Sequence, residues 1–211
     1  MTLDEVIAEI KRGLGYRSDK TDEIKAKLYL AQQELERGQT LPLFIVLEDE
    51  TISLTADSGV WELPSNFIRE LDDFGAPYST FTVDGDVVNL KKLPYDSGYA
   101  QYSGADAGAP VAYSRRANTL RFWPTPDEDT TITISYYAKQ DDPRTASTNA
   151  WSENAPGLLI GLAGMMIAGD VHDDRAQQKF ATQYALAKKS VFNEIVAQED
   201  ANMQYSLGGS L

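Results

Sequence analysis

The chain's only histidine sits among carboxylates in the run Asp170-Val171-His172-Asp173-Asp174. Three carboxylates and an imidazole are the raw material of a hard-cation site, but such sites draw their oxygens from a loop of controlled turns. An EF-hand alternates Asp or Asn positions, bends at a glycine and closes on a glutamate, and none of that spacing is present. The run reads as a turn between two helices, with Asp173 capping the second and Asp174 opposing its positive terminal dipole. Glu48-Asp49-Glu50 and Asp127-Glu128-Asp129 fall between strand-patterned stretches, where turn chemistry and solubility account for them. No nucleophile elbow, phosphate loop, dinucleotide glycine fingerprint or zinc-protease helix occurs. The absence of cysteine removes thiolate nucleophiles, a disulfide framework and Cys-built zinc sites, and a single histidine removes a His-rich metal site. Paired carboxylates for glycoside hydrolysis are defined by a separation in space, which leaves a hydrolase supported by acidity alone. The residues therefore predict no catalytic group, no cofactor and no metal.

Aromatic and basic side chains offer binding instead of catalysis. Tyr95, Tyr99, Tyr102, Tyr113, Tyr136 and Tyr137 concentrate in the middle of the chain, as a sugar- or protein-stacking surface or as strand formers that fill a core. Arg115-Arg116 stands at an expected hairpin turn and is a candidate subunit contact; Lys91-Lys92 is the other basic doublet of the region.

These residues must be positioned by a folded protein. With 211 residues, 42% hydrophobic and 24% charged, the composition is that of a globular chain able to bury a core without covalent help. Against 19 basic residues stand 32 acidic ones, a net charge of −13 that repels nucleic-acid phosphates. Sequence-dependent DNA binding by the free protein is thereby disfavoured. The N-terminus lacks the basic start and apolar core of a secretory signal. The longest uncharged stretch, residues 155–169, contains Pro156 and falls short of the roughly 20 apolar residues of a bilayer span.

Leu3, Val6, Ile7, Ile10 and Leu14 share one helix face, with Thr2 and Glu5 as a capping box. Ile24, Leu28, Ala31 and Leu35 mark a second helix closed by Gly38. From Leu43 the period changes to alternation. Strands are expected over 43–47, 51–55, 60–63, 81–83, 87–90, 110–114, 119–123 and 131–138, with a turn at Asp84-Gly85-Asp86. Residues 156–169 are apolar around the whole circumference, the mark of a buried helix, and Gly157, Gly161 and Gly164 imply close approach by a neighbouring backbone. Ala176, Phe180, Tyr184, Ala187, Val191 and Ile195 line a last long helix, and residues after about Gln198 lack a period and read as a flexible tail. The expected fold is α+β. A four-helix bundle formed by the N- and C-terminal helix pairs (1–40 and 150–198) carries an inserted antiparallel β-sandwich or small barrel (41–149), and a tail follows (199–211).

Four stretches, taken in order, resemble the head-to-tail adaptor (connector, head-completion) proteins of tailed bacteriophages. The first helical pair ends in Ala31-Gln32-Gln33-Glu34-Leu35-Glu36. Next come Trp61-Glu62-Leu63-Pro64-Ser65-Asn66-Phe67-Ile68-Arg69-Glu70, and then Leu120-Arg121-Phe122-Trp123-Pro124-Thr125-Pro126 with Ile134-Ser135-Tyr136-Tyr137-Ala138-Lys139. The fourth runs from Asn149-Ala150-Trp151 through Pro156-Gly157-Leu158-Leu159-Ile160 to Asp173-Asp174-Arg175-Ala176-Gln177. The resemblance implies a structural virion protein of the neck, made in the host cytoplasm, without catalytic residues or cofactor. It implies a ring, usually of twelve subunits, between the portal protein and a tail or nozzle protein, with DNA passing through the lumen without specific binding. Met203, Tyr205, Leu207 and Leu211 are the candidate docking anchors, and the spacing of two among the first three suits an extended segment laid on a partner. The alternative is a carbohydrate- or protein-binding β module on a helical base.

Overall fold

The computed structural model describes residues 1–71 and 78–208. In chain order the chain forms α1 (Leu3–Gly13), α2 (Thr21–Glu36), β1 (Val46–Leu54), β2 (Val60–Glu62) and β3 (Phe67–Glu70). Then come β4 (Tyr78–Val83), β5 (Asp86–Lys92), α3 (Tyr95–Tyr102), β6 (Ala112–Arg116), β7 (Thr119–Trp123) and β8 (Thr130–Ala138). The chain ends with α4 (Ala150–Asn154), α5 (Pro156–Asp170) and α6 (Asp174–Gly208). It is mixed α+β and divides into a helical unit, Met1–Ile45 with Lys139–Leu211, and a β unit, Val46–Ala138.

In the helical unit, the Thr2 side chain accepts from the Glu5 N–H while the Glu5 carboxylate accepts from the Thr2 N–H, so two orphan donors of α1 are satisfied reciprocally. Leu3, Val6, Ile7 and Ile10 of α1 and Ile24, Leu28 and Ala31 of α2 are buried. Both helices pack on α5, as do α4 and α6. A helix with neighbours on every side has no face to leave polar, which explains why α5 is apolar all round. These contacts centre the helical unit on α5, the helix that the sequence marked as buried on most sides. α6 runs antiparallel to α5. A Cβ on Gly161 would come within 2.7 Å of the Tyr184 backbone, and one on Gly164 within 2.5 Å of the Phe180 ring.

Residues 139–149 pack with the helical unit through a buried polar network. Gln32 Nε2 donates to Glu36 Oε1 (3.0 Å) and to the Gln140 carbonyl (2.9 Å), and Asn149 Nδ2 donates to Gln32 Oε1 (2.8 Å). The Gln140 N–H donates to Glu36 Oε1 (2.9 Å). Each buried polar group here has its partner within the network, as burial requires.

α6 continues through Gly208, where the sequence suggested an aperiodic tail from residue 199. Ala, Gln, Glu and Met in this stretch are good helix formers, and a helix already nucleated on α5 extends through them without a further nucleation cost.

The β unit is one eight-stranded sheet in the order β1-β8-β4-β5-β6-β7-β2, with β3 also paired to β8. β1 and β2, the ends of that path, approach each other, so the sheet is nearly a closed barrel. The expected all-antiparallel pairing fails at one place: β5 and β6 are parallel, with Lys91 opposite Ala112 and Lys92 opposite Tyr113. Parallel neighbours need a crossover, and residues 93–111, containing α3, supply it. Ile52, Leu54, Phe81, Leu90, Tyr113, Phe122, Ile132 and Ile134 belong to the barrel core.

Candidate functional site: the aromatic and cationic face of the β unit

α3 lies against β6 and carries three tyrosines around Trp123. The ring centroids of Tyr95, Tyr99 and Tyr102 stand 6.0, 6.4 and 6.3 Å from the indole. Gly98 makes this packing feasible, because a Cβ there would meet Trp123 Nε1 at 2.7 Å and Ser114 Oγ at 2.9 Å. The buried indole N–H donates to Ser114 Oγ at 3.0 Å, so the largest side chain of the cluster is satisfied as well as buried.

Guanidinium groups extend the cluster outward. Arg116 stands 4.5 Å over the Tyr95 ring and Arg121 4.5 Å over Trp123. At the mouth of the barrel Arg115 lies over Phe67, Arg69 over Tyr137 and Lys92 over Tyr113. Glu70, only 3% exposed, faces Lys92 Nζ at 3.5 Å and Arg115 at 3.8 Å. A buried carboxylate between two half-exposed cations holds them in place while leaving their outer sides to solvent. Stacking on aromatic faces fixes the arginines further, so this surface presents preorganised positive charge. Exposed cations stacked on aromatic rings suit recognition of a partner.

Other residues singled out in the sequence occupy structural positions. Asp173 Oδ1 accepts from the Ala176 N–H at 2.9 Å, and Asp170 pairs with Lys27 at 2.7 Å. Among the described residues no group of three or more His, Asp or Glu side chains comes together as a metal site. Tyr113, Tyr136 and Tyr137 are buried, whereas Tyr99 is 56% exposed. Arg115 and Arg116 fall inside β6, with the turn shifted to Ala117-Asn118; Arg115 also donates to the Ile68 carbonyl at 3.3 Å. Positions 203, 205 and 207 lie on the helical backbone of α6, so the spacing of two does not describe an extended segment there. Leu211 lies outside the described residues. Glu70 and Arg69 were not legible as part of a site, because nothing in Phe67-Ile68-Arg69-Glu70 signals that its carboxylate is buried; Lys92 stood out only as half of a basic doublet.

The model of the SU10 adaptor protein family matches residues 1–208. The chain belongs to the SU10 adaptor protein family. No curated protein matches it. Membership agrees with the phage head-to-tail adaptor resemblance carried by the four sequence stretches. As an SU10 adaptor the chain is a structural phage component, and the family implies a non-enzymatic role. Among the described residues of this adaptor no helix is long and apolar enough to cross a membrane.

Proposed function

We propose that the chain is a ring-forming head-to-tail adaptor, with about twelve copies joining the portal protein to a tail or nozzle protein and enclosing the path of the DNA. The observation that carries the reading is the family match over residues 1–208. Two different units per chain favour it, since a ring of one copied subunit requires two unlike, complementary faces. A net charge of −13 suits a channel that must let DNA slide, because it offers few phosphate partners. In this reading the C-terminal end of α6, with Met203, Tyr205, Leu207 and then Leu211, docks on the portal or the next tail component, and Arg115 and Arg116 lie in the subunit contact.

The test is to mix purified chain with portal protein and determine mass and symmetry by mass photometry and electron microscopy. The expected product is a closed ring on the portal, formed only in its presence. Protein that stays unbound at every portal ratio would reject the reading.

A further inference from the structure

Two arginines of the β unit stand side by side without an acid between them. Ser114 of β6 and Trp123 of β7 face each other through the indole hydrogen bond. Arg116 and Arg121, each two residues further along the same strands, therefore share that outer face. In register Ser114 is opposite Arg121 and Arg116 is opposite Thr119, which makes the two arginines diagonal neighbours, a spacing that long side chains span. Arg116 lies over Tyr95 and Arg121 over Trp123, and those two rings are in edge contact, with centroids 6.0 Å apart.

Arg115 and Lys92 already have Glu70. Among the described residues Arg116 and Arg121 form no ion pair, and neither guanidinium donates a hydrogen bond; Arg121 Nε is buried without a partner. The acids that share this face, Glu62 opposite Thr119 and Asp96 in the first turn of α3, are exposed and pair with neither arginine. Stacking occupies the flat side of a guanidinium and leaves its in-plane donors free. A guanidinium is donor throughout, with no acceptor to turn inward. Donors held in place and left empty are costly where they are buried, and here they point to an acceptor from outside the chain. Beside them the exposed Tyr99 ring lies nearly parallel to Tyr95, at 6.5 Å and 17°, and extends the site as an apolar shelf.

We propose that this face docks an acidic peptide segment of a partner protein, with a carboxylate held by Arg116 and Arg121 and the residue next to it lying on Tyr99. The planar fork of an arginine matches a carboxylate through two parallel hydrogen bonds. A nucleic acid fits less well, because its regular run of phosphates would pass Glu62 and Asp96 in the field of a chain of net charge −13. A peptide needs its negative groups only where the arginines are. The inference goes beyond the adaptor reading and does not rest on ring formation: it assigns a ligand chemistry to the β unit of a single chain.

The probe is a short peptide of alternating proline and glutamate, blocked at both ends, with its glutamine counterpart as control. Calorimetry with the full-length protein at low salt reads binding, and NMR follows the Arg121 Nε–H signal. Wild type is expected to bind the glutamate peptide and not the glutamine one, and the Arg121 signal to move as the site fills. Arg116→Gln and Arg121→Gln should each weaken binding at least about tenfold, the scale of one hydrogen bond to a charged group. Arg121→Lys keeps the charge and loses the fork, so it should not restore affinity. Lys179→Gln makes the same change of charge on the helical unit and should bind as wild type does. Arg116 is exposed, so its variant should keep the fold, and the NMR readout needs no variant at all. No binding of the glutamate peptide, equal binding of the glutamine peptide, full affinity in Arg121→Lys, an equal loss in Lys179→Gln, or an Arg121 signal unmoved at saturation would each overturn the proposal. Displacement of the glutamate peptide by inorganic phosphate or by an oligothymidylate at lower concentration would overturn it as well, and would assign the face to phosphate.

Discussion

Gly161 of α5 touches the main chain of Tyr184 in α6: a Cβ at 161 would lie 2.7 Å from the Tyr184 nitrogen, Cα and Cβ alike. Main chain cannot rotate aside as a side-chain tip can, so any larger residue must part the two helices. Gly161→Ala gains about 1 kcal/mol of helix propensity, yet overpacking against a fixed backbone costs about 1–3 kcal/mol. A net loss is expected, and Gly161→Leu should be worse. Gly104→Ala, with open space around its Cα, is the control and should stay within about 0.5 kcal/mol of wild type. Urea melts of the three variants decide; a stable Gly161→Leu would separate the helices that the structure packs together.

Glu36 gives the helical unit a pH dependence of known sign. Burial raises its carboxyl above the ordinary 4.5, and hydrogen bonds from the Gln140 N–H and the Gln32 amide, with the nearby Trp151 indole, pull it back only in part. Between the unfolded and the raised folded value the folded state binds more protons than the unfolded one, so this group's contribution to stability falls as pH rises through that window. Above the folded value the penalty is complete and constant. Glu36→Gln removes the titration. The wild-type-minus-variant difference in unfolding free energy should therefore fall as pH rises above the ordinary carboxyl value, whatever the constant offset between the two. A flat difference would show that the carboxyl titrates normally.

Gly98→Val tests the aromatic face. The added branches would strike Trp123 and Ser114, lift α3 from β6 and expose the indole. A red shift of tryptophan emission and a loss of about 1–3 kcal/mol are expected, with the helical unit's circular dichroism retained. Unchanged emission would mean that α3 does not cover Trp123 in solution.

Truncation after Gln198 should remove the helical signal of residues 199–208 while leaving thermal stability within about 0.5 kcal/mol, as expected of a terminal segment. Far-UV circular dichroism of full-length and truncated protein measures this directly. No change in helicity on truncation would refute the continuous helix.

The elements at the two ends of the chain were legible because their signals are local. Thr2 and Glu5 form the capping box their spacing announces, and the all-apolar run with its glycines is the central helix. The Asp84-Gly85 turn also stands where expected, with Gly85 at φ 92°. Three features were hidden. α3 was not expected, since Tyr95, Tyr99 and Tyr102 favour strands by propensity and Gly98 weakens a helix; packing on Trp123 overrides both. Residues 43–47 and 51–55 suggested two strands, whereas β1 is one strand with a shift between Leu47 and Glu50 and Asp49 at φ 55°, because charged residues there mimic a turn. The cationic mouth depends on residues from β3, β5 and β6, far apart in sequence, and no single-strand pattern reports which ends of those strands meet.

The β unit enters at Val46 and leaves at Ala138, and Val46 is paired with Tyr137 on the adjacent strand. Neighbouring strands lie about 5 Å apart, so the 93 residues from 46 to 138 are a cassette whose two seams sit side by side. To the helical unit, such an insert is topologically a loop of small mouth: it can be exchanged for a different barrel, or bridged by a few residues, without altering where the flanking chain must be. Diversification of what the β unit meets can therefore proceed by swapping the cassette while the α5 hub keeps its sequence.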